Sequence, residues 1–225
     1  MTIQQDFEVK DKVKITERKN SSGFYRRYGK RIFDVALAVV LLPFLILLFV
    51  LVRLAYLRSG KAIFVQLRVG KNGNLYRCYK FRTMHVNAEQ TLRRLIGQDE
   101  NIAAEWDAYQ KLTNDPRITL IGSYLRKSRL DEFPQLINIL IGDMSFVGPR
   151  PFTVDQLDLY TSHGSKEYFN LRPGITGHWQ LDQPPDSLFS DRPKFDDNYG
   201  ANISFFGDLK FVLRTSILPF NWNGK

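Results

Sequence analysis

The chain has 225 residues, enough for one sizeable domain or for a domain with a membrane anchor, and its 44% hydrophobic content excludes a disordered polymer. A single cysteine, Cys78, excludes an intrachain disulfide framework and fits a reducing compartment. The net charge of +9 is polarised: residues 1–82 hold 17 Lys and Arg against 5 Asp and Glu, and residues 53–82 hold eight cations and no acid. Such a surface suits lipid headgroups or phosphorylated ligands. No recognised nucleic-acid-binding module accompanies it, so nucleic acid is not an expected partner.

In chain order, residues 1–23 are polar, charged and without periodicity, which predicts a flexible tail. Residues 24–31 are a basic, aromatic lead-in. Residues 32–52, IFDVALAVVLLPFLILLFVLV, reach membrane-spanning length with Asp34 as the only charge. Pro43 sits at the middle and removes a backbone donor. Cations flank both ends: Arg26, Arg27, Lys30 and Arg31 before, Arg53, Arg58 and Lys61 after. Because cations mark the cytoplasmic side, both ends qualify. The residues alone leave two readings, a kinked span or a helix broken at Pro43 that re-enters the same face.

Beyond the apolar run, AIFVQLRVG and LYRCYKFRT alternate like strands around a turn at Gly70–Gly73, predicting a hairpin. Residues 87–112 follow a helical period that Gly97 interrupts. Short helices are expected at 122–129 and 133–141, a longer one at 152–171, and a turn at Arg172-Pro173-Gly174. Asp182–Asp191 reads as loop. Phe205–Leu218 is amphipathic, suited to a membrane surface or to the core. The fold expectation is α+β, mostly helical, with a short hairpin, an N-terminal membrane helix and amphipathic helices at the membrane surface.

The chemistry concentrates in 126–151, RKSRLDEFPQLINILIGDMSFVGPRP. Asp131 and Glu132 follow Arg126, Lys127 and Arg129 at the start of an apolar helix. Cations and a helix N-terminus favour phosphate. A carboxylate can attack phosphorus, and its neighbour can hold Mg²⁺. The bland alternative is a pair of N-terminal helix acids in a Ser128-x-x-Asp131 capping arrangement. Asp143 offers a further carboxylate. Pro149 and Pro151 fix the direction of Arg150, and strand alternation puts Lys80 and Arg82 on one face as a phosphate clamp. There is no Walker A loop, Gly-x-Gly-x-x-Gly or zinc-type spacing, and the three histidines lie far apart in sequence.

The segments KRIFDVALAVVLLPFLILL, FVQLRVGKNGNLYRCYKFRTM, DPRITLIGSYLRKSRLDEFPQLINILIGDMSFVGPRP and LRPGITGHWQL together resemble the bacterial sugar transferase family, the monotopic polyprenyl-phosphate phosphoglycosyl transferases. The likeness runs from about residue 28 to 181 and more weakly to about 215, and looks most like the galactosyl- or glucosyl-phosphate transferases that start exopolysaccharide synthesis. It implies transfer of a sugar-1-phosphate from a UDP-sugar to undecaprenyl phosphate with release of UMP. It also implies Asp131 as nucleophile, Glu132 as Mg²⁺ ligand, and Arg126, Lys80, Arg82, Arg150 and Asp196 as substrate-binding positions.

The family's membrane helix is re-entrant. The organisation implied is therefore a tail at 1–23, a lead-in and re-entrant helix at 24–58, and a catalytic domain at 59–225 on the cytoplasmic side of the bacterial inner membrane. Membrane lipids are implied partners, and a homodimer is left open. Two departures stand out: Leu42 replaces the serine often found before the helix-breaking proline, and Gln-Leu-Asp-Gln-Pro-Pro-Asp after Trp179 differs from the family loop. The competing reading is a catalytically silent membrane scaffold of the same fold.

Overall fold

The computed structural model describes residues 9, 13, 23–57, 60–164, 167–184 and 187–217. Most of the expected tail, Arg58, Pro185 and Leu218 lie outside the described residues. Val9 and Val13, inside that tail, are buried, with Val13 packed over Gly73.

The apolar run forms a helix, α1 (Lys30–Ala55), entered through a π-helical turn at Tyr25–Gly29. Helix α1 continues through Pro43 without the expected interruption. A lone proline deletes one hydrogen bond and bends a helix, while the neighbouring residues here, all long and apolar, keep helical geometry. Asp34, Ala38, Leu45, Leu48 and Val52 are its buried residues, a stripe at helical spacing. Val40, Ile46, Leu47, Leu51 and Leu54 on the other faces are more than half exposed. At 1.5 Å per residue α1 is about 39 Å long, and it touches the domain along that length. The Asp34 carboxylate accepts from Ser145 Oγ and Phe146 N, both at 3.0 Å. Phe44 meets Phe133, Phe49 meets Phe81, and Tyr56 Oη donates to the Arg82 carbonyl at 2.8 Å.

The predicted hairpin is present as β1 (Ile63–Val69) and β2 (Leu75–Phe81), antiparallel with Phe64 opposite Lys80. Asn72 at φ 58° and Gly73 at φ 72° make the turn. The next segment is two helices, α2 (Ala88–Gln98) and α3 (Glu100–Tyr109). The break falls at Asp99 instead of Gly97, because the Asp99 carboxylate accepts from the Asn101 and Ile102 amides and starts a new helix. Helix α4 (Leu120–Lys127) starts at Thr119, whose hydroxyl accepts from Gly122 N. A 3₁₀ turn, Leu130–Glu132, leads into α5 (Gln135–Ile141).

The later chain is more broken than its periodicity predicts. Where one helix over 152–171 is expected, the described residues form α6 (Leu157–Thr161) and short 3₁₀ turns. Gly164 at φ 73° turns the chain, and Tyr160, Tyr168, Phe169 and Phe152 collapse into one aromatic cluster. The expected turn at Arg172–Gly174 instead begins a strand. β3 (Ser145–Val147) and β4 (Gly174–Thr176) pair in parallel. Three further helices follow: α7 (His178–Asp182), α8 (Arg192–Ala201) and α9 (Phe205–Ile217). Helix α9 buries Asp208 and Phe211 and exposes Phe206, Leu213 and Ile217. The molecule is thus α+β, mostly helical, with two small sheets and one long apolar helix.

Two cores result. One joins α1, β2, α5 and β3 around Ala38, Phe81, Leu136, Ile139 and Met144. The other gathers Val69, Leu75, Phe152, Tyr160 and Tyr168. The Asp34 carboxylate ties α1 to the start of β3, so Asp34→Ala removes two charge-assisted bonds and strands their buried donors. We expect a loss of about 2–5 kcal/mol in stability, read as a lower unfolding midpoint in detergent, with Asp34→Asn intermediate.

Candidate active site

Helix α4 ends at Lys127, and Arg129 takes the left-handed conformation at φ 56°. That residue turns the chain so that Asp131 and Glu132 lie in a 3₁₀ turn before α5. The Ser128 hydroxyl donates backwards to the Tyr124 and Leu125 carbonyls, so the capping-box alternative is not realised. Lys80 reaches from β2 and places Nζ 2.7 Å from Glu132 Oε1. Both partners of this ion pair are largely buried.

The spacing between β2 and the turn is set by Asn138, a fully buried polar residue inside the apolar run LINILI. Its Oδ1 accepts from Tyr79 N at 3.1 Å and its Nδ2 donates to the Arg77 carbonyl at 2.6 Å. Sequence reasoning passed over it; a lone amide among apolar residues was the available signal. Asp143, at the far end of α5, accepts from Asn138 Nδ2 at 3.3 Å and stands apart from the pair.

Arg126 is directed by Thr83, whose hydroxyl accepts from Nε at 2.9 Å. The approach of α4 to Thr83 needs Gly122, since a Cβ there would lie 1.9 Å from the Thr83 carbonyl oxygen. Arg150 projects from the Gly148–Pro151 loop, which is tied on every side. Gly148 N donates to Thr176 O and Gly174 N to Pro149 O. Arg68 Nη1 donates to Pro151 O at 3.1 Å, and Arg192 donates to the Arg150 carbonyl. Gly174 is obligatory: a Cβ would sit 2.1 Å from Gly148 N.

Burial pushes the Asp131 carboxyl up to about 6, assisted by Glu132 and opposed by Lys80, Arg126 and Arg150. Glu132 is desolvated too, but Lys80, Arg150 and Arg129 outweigh that and hold it down at about 2. Burial therefore favours the neutral form of Asp131, while Lys80 favours the charge on Glu132. Among the described residues no cluster of three His, Cys, Asp or Glu could hold a metal by protein ligands alone. Two adjacent carboxylates completed by substrate phosphates are nonetheless a donor set that suits Mg²⁺.

Of the positions singled out in the sequence, Lys80, Arg126, Arg150, Asp131 and Glu132 come together. The Arg82 guanidinium lies 4.7 Å from the Tyr56 ring centre. Strand β2 ends at Phe81, so strict alternation no longer governs the next side chain. Asp196 is buried on α8, accepts the Tyr160 hydroxyl at 2.6 Å, and lies near Arg192. It thus touches the site through Arg192 and the Arg150 loop. Arg192 itself is enclosed by Phe152, Tyr160, Trp179 and Phe189. Asn138, Arg68 and Arg192 are the supports that sequence reasoning missed.

The described residues thus dock an apolar helix along a small α+β domain in which cations converge on an Asp-Glu turn. The chain belongs to the bacterial sugar transferase family, whose model matches residues 25–221. It is 43% identical over 189 residues to the exopolysaccharide production protein ExoY of Sinorhizobium fredii, covering 83% of each chain. It is 39% identical over 202 residues to the undecaprenyl-phosphate galactose phosphotransferase of Salmonella typhimurium, covering 88% of this chain and 42% of that one. It is 35% identical over 205 residues to the UDP-glucose:undecaprenyl-phosphate glucose-1-phosphate transferase of Escherichia coli, covering 86% and 40%.

Burial pushes the Asp196 carboxyl up to about 7, against the pull of Arg192 and Tyr160. A carboxyl raised on folding favours the folded state most below its unfolded value, and that contribution is lost as pH rises through the folded value. Wild type should therefore lose stability relative to Asp196→Asn between about pH 4 and pH 7. Denaturant melts of both proteins across that range check it; parallel stability curves would contradict it.

Proposed function

We propose that this chain transfers a hexose-1-phosphate from a UDP-sugar to undecaprenyl phosphate, releasing UMP, through an acyl phosphate on Asp131. The observation that carries the reading is the Asp131–Glu132 turn, half-buried, with Lys80, Arg126, Arg129 and Arg150 acting on it. The names of the Salmonella and Escherichia relatives supply the donor and acceptor classes and favour galactose or glucose as the hexose.

In this mechanism a carboxylate oxygen of Asp131 attacks the β-phosphorus of the UDP-sugar. The bond from that phosphorus to the bridging oxygen breaks, and UMP leaves with the oxygen and its electron pair. A phosphate oxygen of undecaprenyl phosphate then attacks the same phosphorus and returns Asp131 as a carboxylate. No net proton is needed on the nucleophile, provided Asp131 starts ionised. Lys80, Arg126 and Arg150 bind the phosphate oxygens; arginine presents paired donors suited to them. Glu132, with the substrate phosphates, would hold Mg²⁺. When bound, that ion supplies neutralisation of charge gathering on the departing phosphate. Arg192 and Asp196 act at one remove, by holding the Arg150 loop. A silent scaffold would have no use for this convergence of cations on a strained turn.

We further propose that both ends of α1 stay on one side of the membrane, the cytoplasmic face of the inner membrane. What supports this is that Asp34 near its start and Tyr56 just past its end both bond to the same domain. An acceptor phosphate at the surface would then lie within reach of a site on that domain.

Asp131→Asn should lower lipid-dependent UMP release from the preferred UDP-sugar about a thousandfold or more; activity within tenfold of wild type would remove Asp131 as nucleophile. Reporter tags at both chain ends should be accessible only from the cytoplasm. Labelling of the two ends from opposite sides would establish a true span.

A further inference from the structure

A cavity of about 460 Å³ lies at the start of α1, lined by Arg26, Arg27, Lys30, Arg31, Lys71 and Arg172, with Asp34 as its only acid. It sits by the carboxyl end of α5, where Arg31 donates to the Ile139 and Leu140 carbonyls and Arg172 Nε to the Gly142 carbonyl. The Asp-Glu turn precedes the other end of α5. Seven helical residues alone separate the two by about 10 Å, so a phosphate in this cavity is out of reach of Asp131.

The cavity's charge is not balanced from within. Arg26 pairs with Glu167 at 2.8 Å and Lys30 with Asp208 at 2.7 Å. Arg31 and Arg172 are satisfied by carbonyl oxygens, which offer partial charges only. Arg27 and Lys71 make no ion pair among the described residues. Partial burial, then Arg172 and Arg26, lower the Lys71 ammonium, the signature of cations crowded without an anion. The rim adds a second clue: Phe24, Tyr28 and Phe206 beside the start of α1 are each more than half exposed. Exposed aromatics beside cations at the end of an apolar helix are what the headgroup layer of a bilayer accommodates.

We propose that this cavity binds the phosphate of an anionic phospholipid headgroup, separate from the reacting substrates, and so fixes the start of α1 at the membrane surface. The inference rests on the one-sided membrane placement of α1, and its readout involves no turnover. Its failure and failure of the proposed reaction are therefore distinguishable.

The test is native mass spectrometry of the full chain released from nanodiscs of mixed phosphatidylglycerol and phosphatidylcholine. Wild type should retain one phosphatidylglycerol with a preference of about tenfold over phosphatidylcholine. Arg27→Gln/Lys71→Gln should lose that preference; if the double variant fails to fold, Lys71→Gln alone, on the exposed hairpin turn, should reduce it several-fold. Equal retention of the two lipids by wild type, or an unchanged preference in the folded variant, would overturn the proposal. Millimolar inorganic phosphate is the third arm. If it displaces the retained lipid completely, the cavity is a free-anion site and the lipid assignment falls; persistence of the lipid supports it.

Discussion

Two carboxylates on neighbouring residues repel each other, and partial burial makes their charge costlier still. They persist at Asp131 and Glu132 because four cations from separate parts of the chain act on them. Lys80 comes from a strand, Arg126 from the last turn of a helix, Arg129 from the left-handed bend after it, and Arg150 from a proline-fixed loop. Lys80 and Arg150 are far from the pair in sequence, and only Arg126 and Arg129 are local to it. The fold is therefore organised around bringing a hairpin, two helices and a loop to one point. The supports follow from that need. Asn138 sews α5 to β2, Thr83 aims Arg126, and Arg68 and Arg192 hold the carbonyls of the Arg150 loop.

The same economy explains the membrane helix. A 26-residue apolar helix could leave the domain and cross a bilayer, yet α1 is bound at both ends and in the middle. Asp34, costly in an apolar run, is used as a peg into the β3 backbone. The exposed faces of α1 stay available to lipid while its buried stripe completes the first core. The Asp131–Glu132 turn is thereby carried on the same domain that α1 is bonded to at both ends.

Much of this was legible in the sequence where a pattern was long or chemically marked. The hairpin came from strict alternation around Gly70 and Gly73, the long apolar helix from composition, and the gathering of cations at Asp131 and Glu132 from the cluster at 126–129. Elements of three residues carry no period, so the parallel β3–β4 pair was invisible and Arg172–Gly174 read as a mere turn. The break at Asp99 was misplaced to Gly97 because a capping carboxylate is a stronger start signal than a tolerated interior glycine. The 152–171 segment has helical spacing, but its aromatics serve one compact cluster in place of one helix face. Arg82 follows the last strand residue, Phe81, and its guanidinium packs over Tyr56. Arg192 and Asn138 are supports for backbone carbonyls and amides, and such partners leave no trace in a residue pattern.

The central claim is that Asp131 itself carries the transferred group, and the intact mass of the protein reports on that directly. Purified chain incubated with UDP-galactose or UDP-glucose and Mg²⁺, without undecaprenyl phosphate, should gain the mass of one hexose phosphate. Peptide mapping should place the adduct on Asp131, and Asp131→Asn should gain nothing. Lipid-dependent UMP release by wild type with no adduct on rapid acid quenching, or an adduct mapped to another residue, would contradict the account.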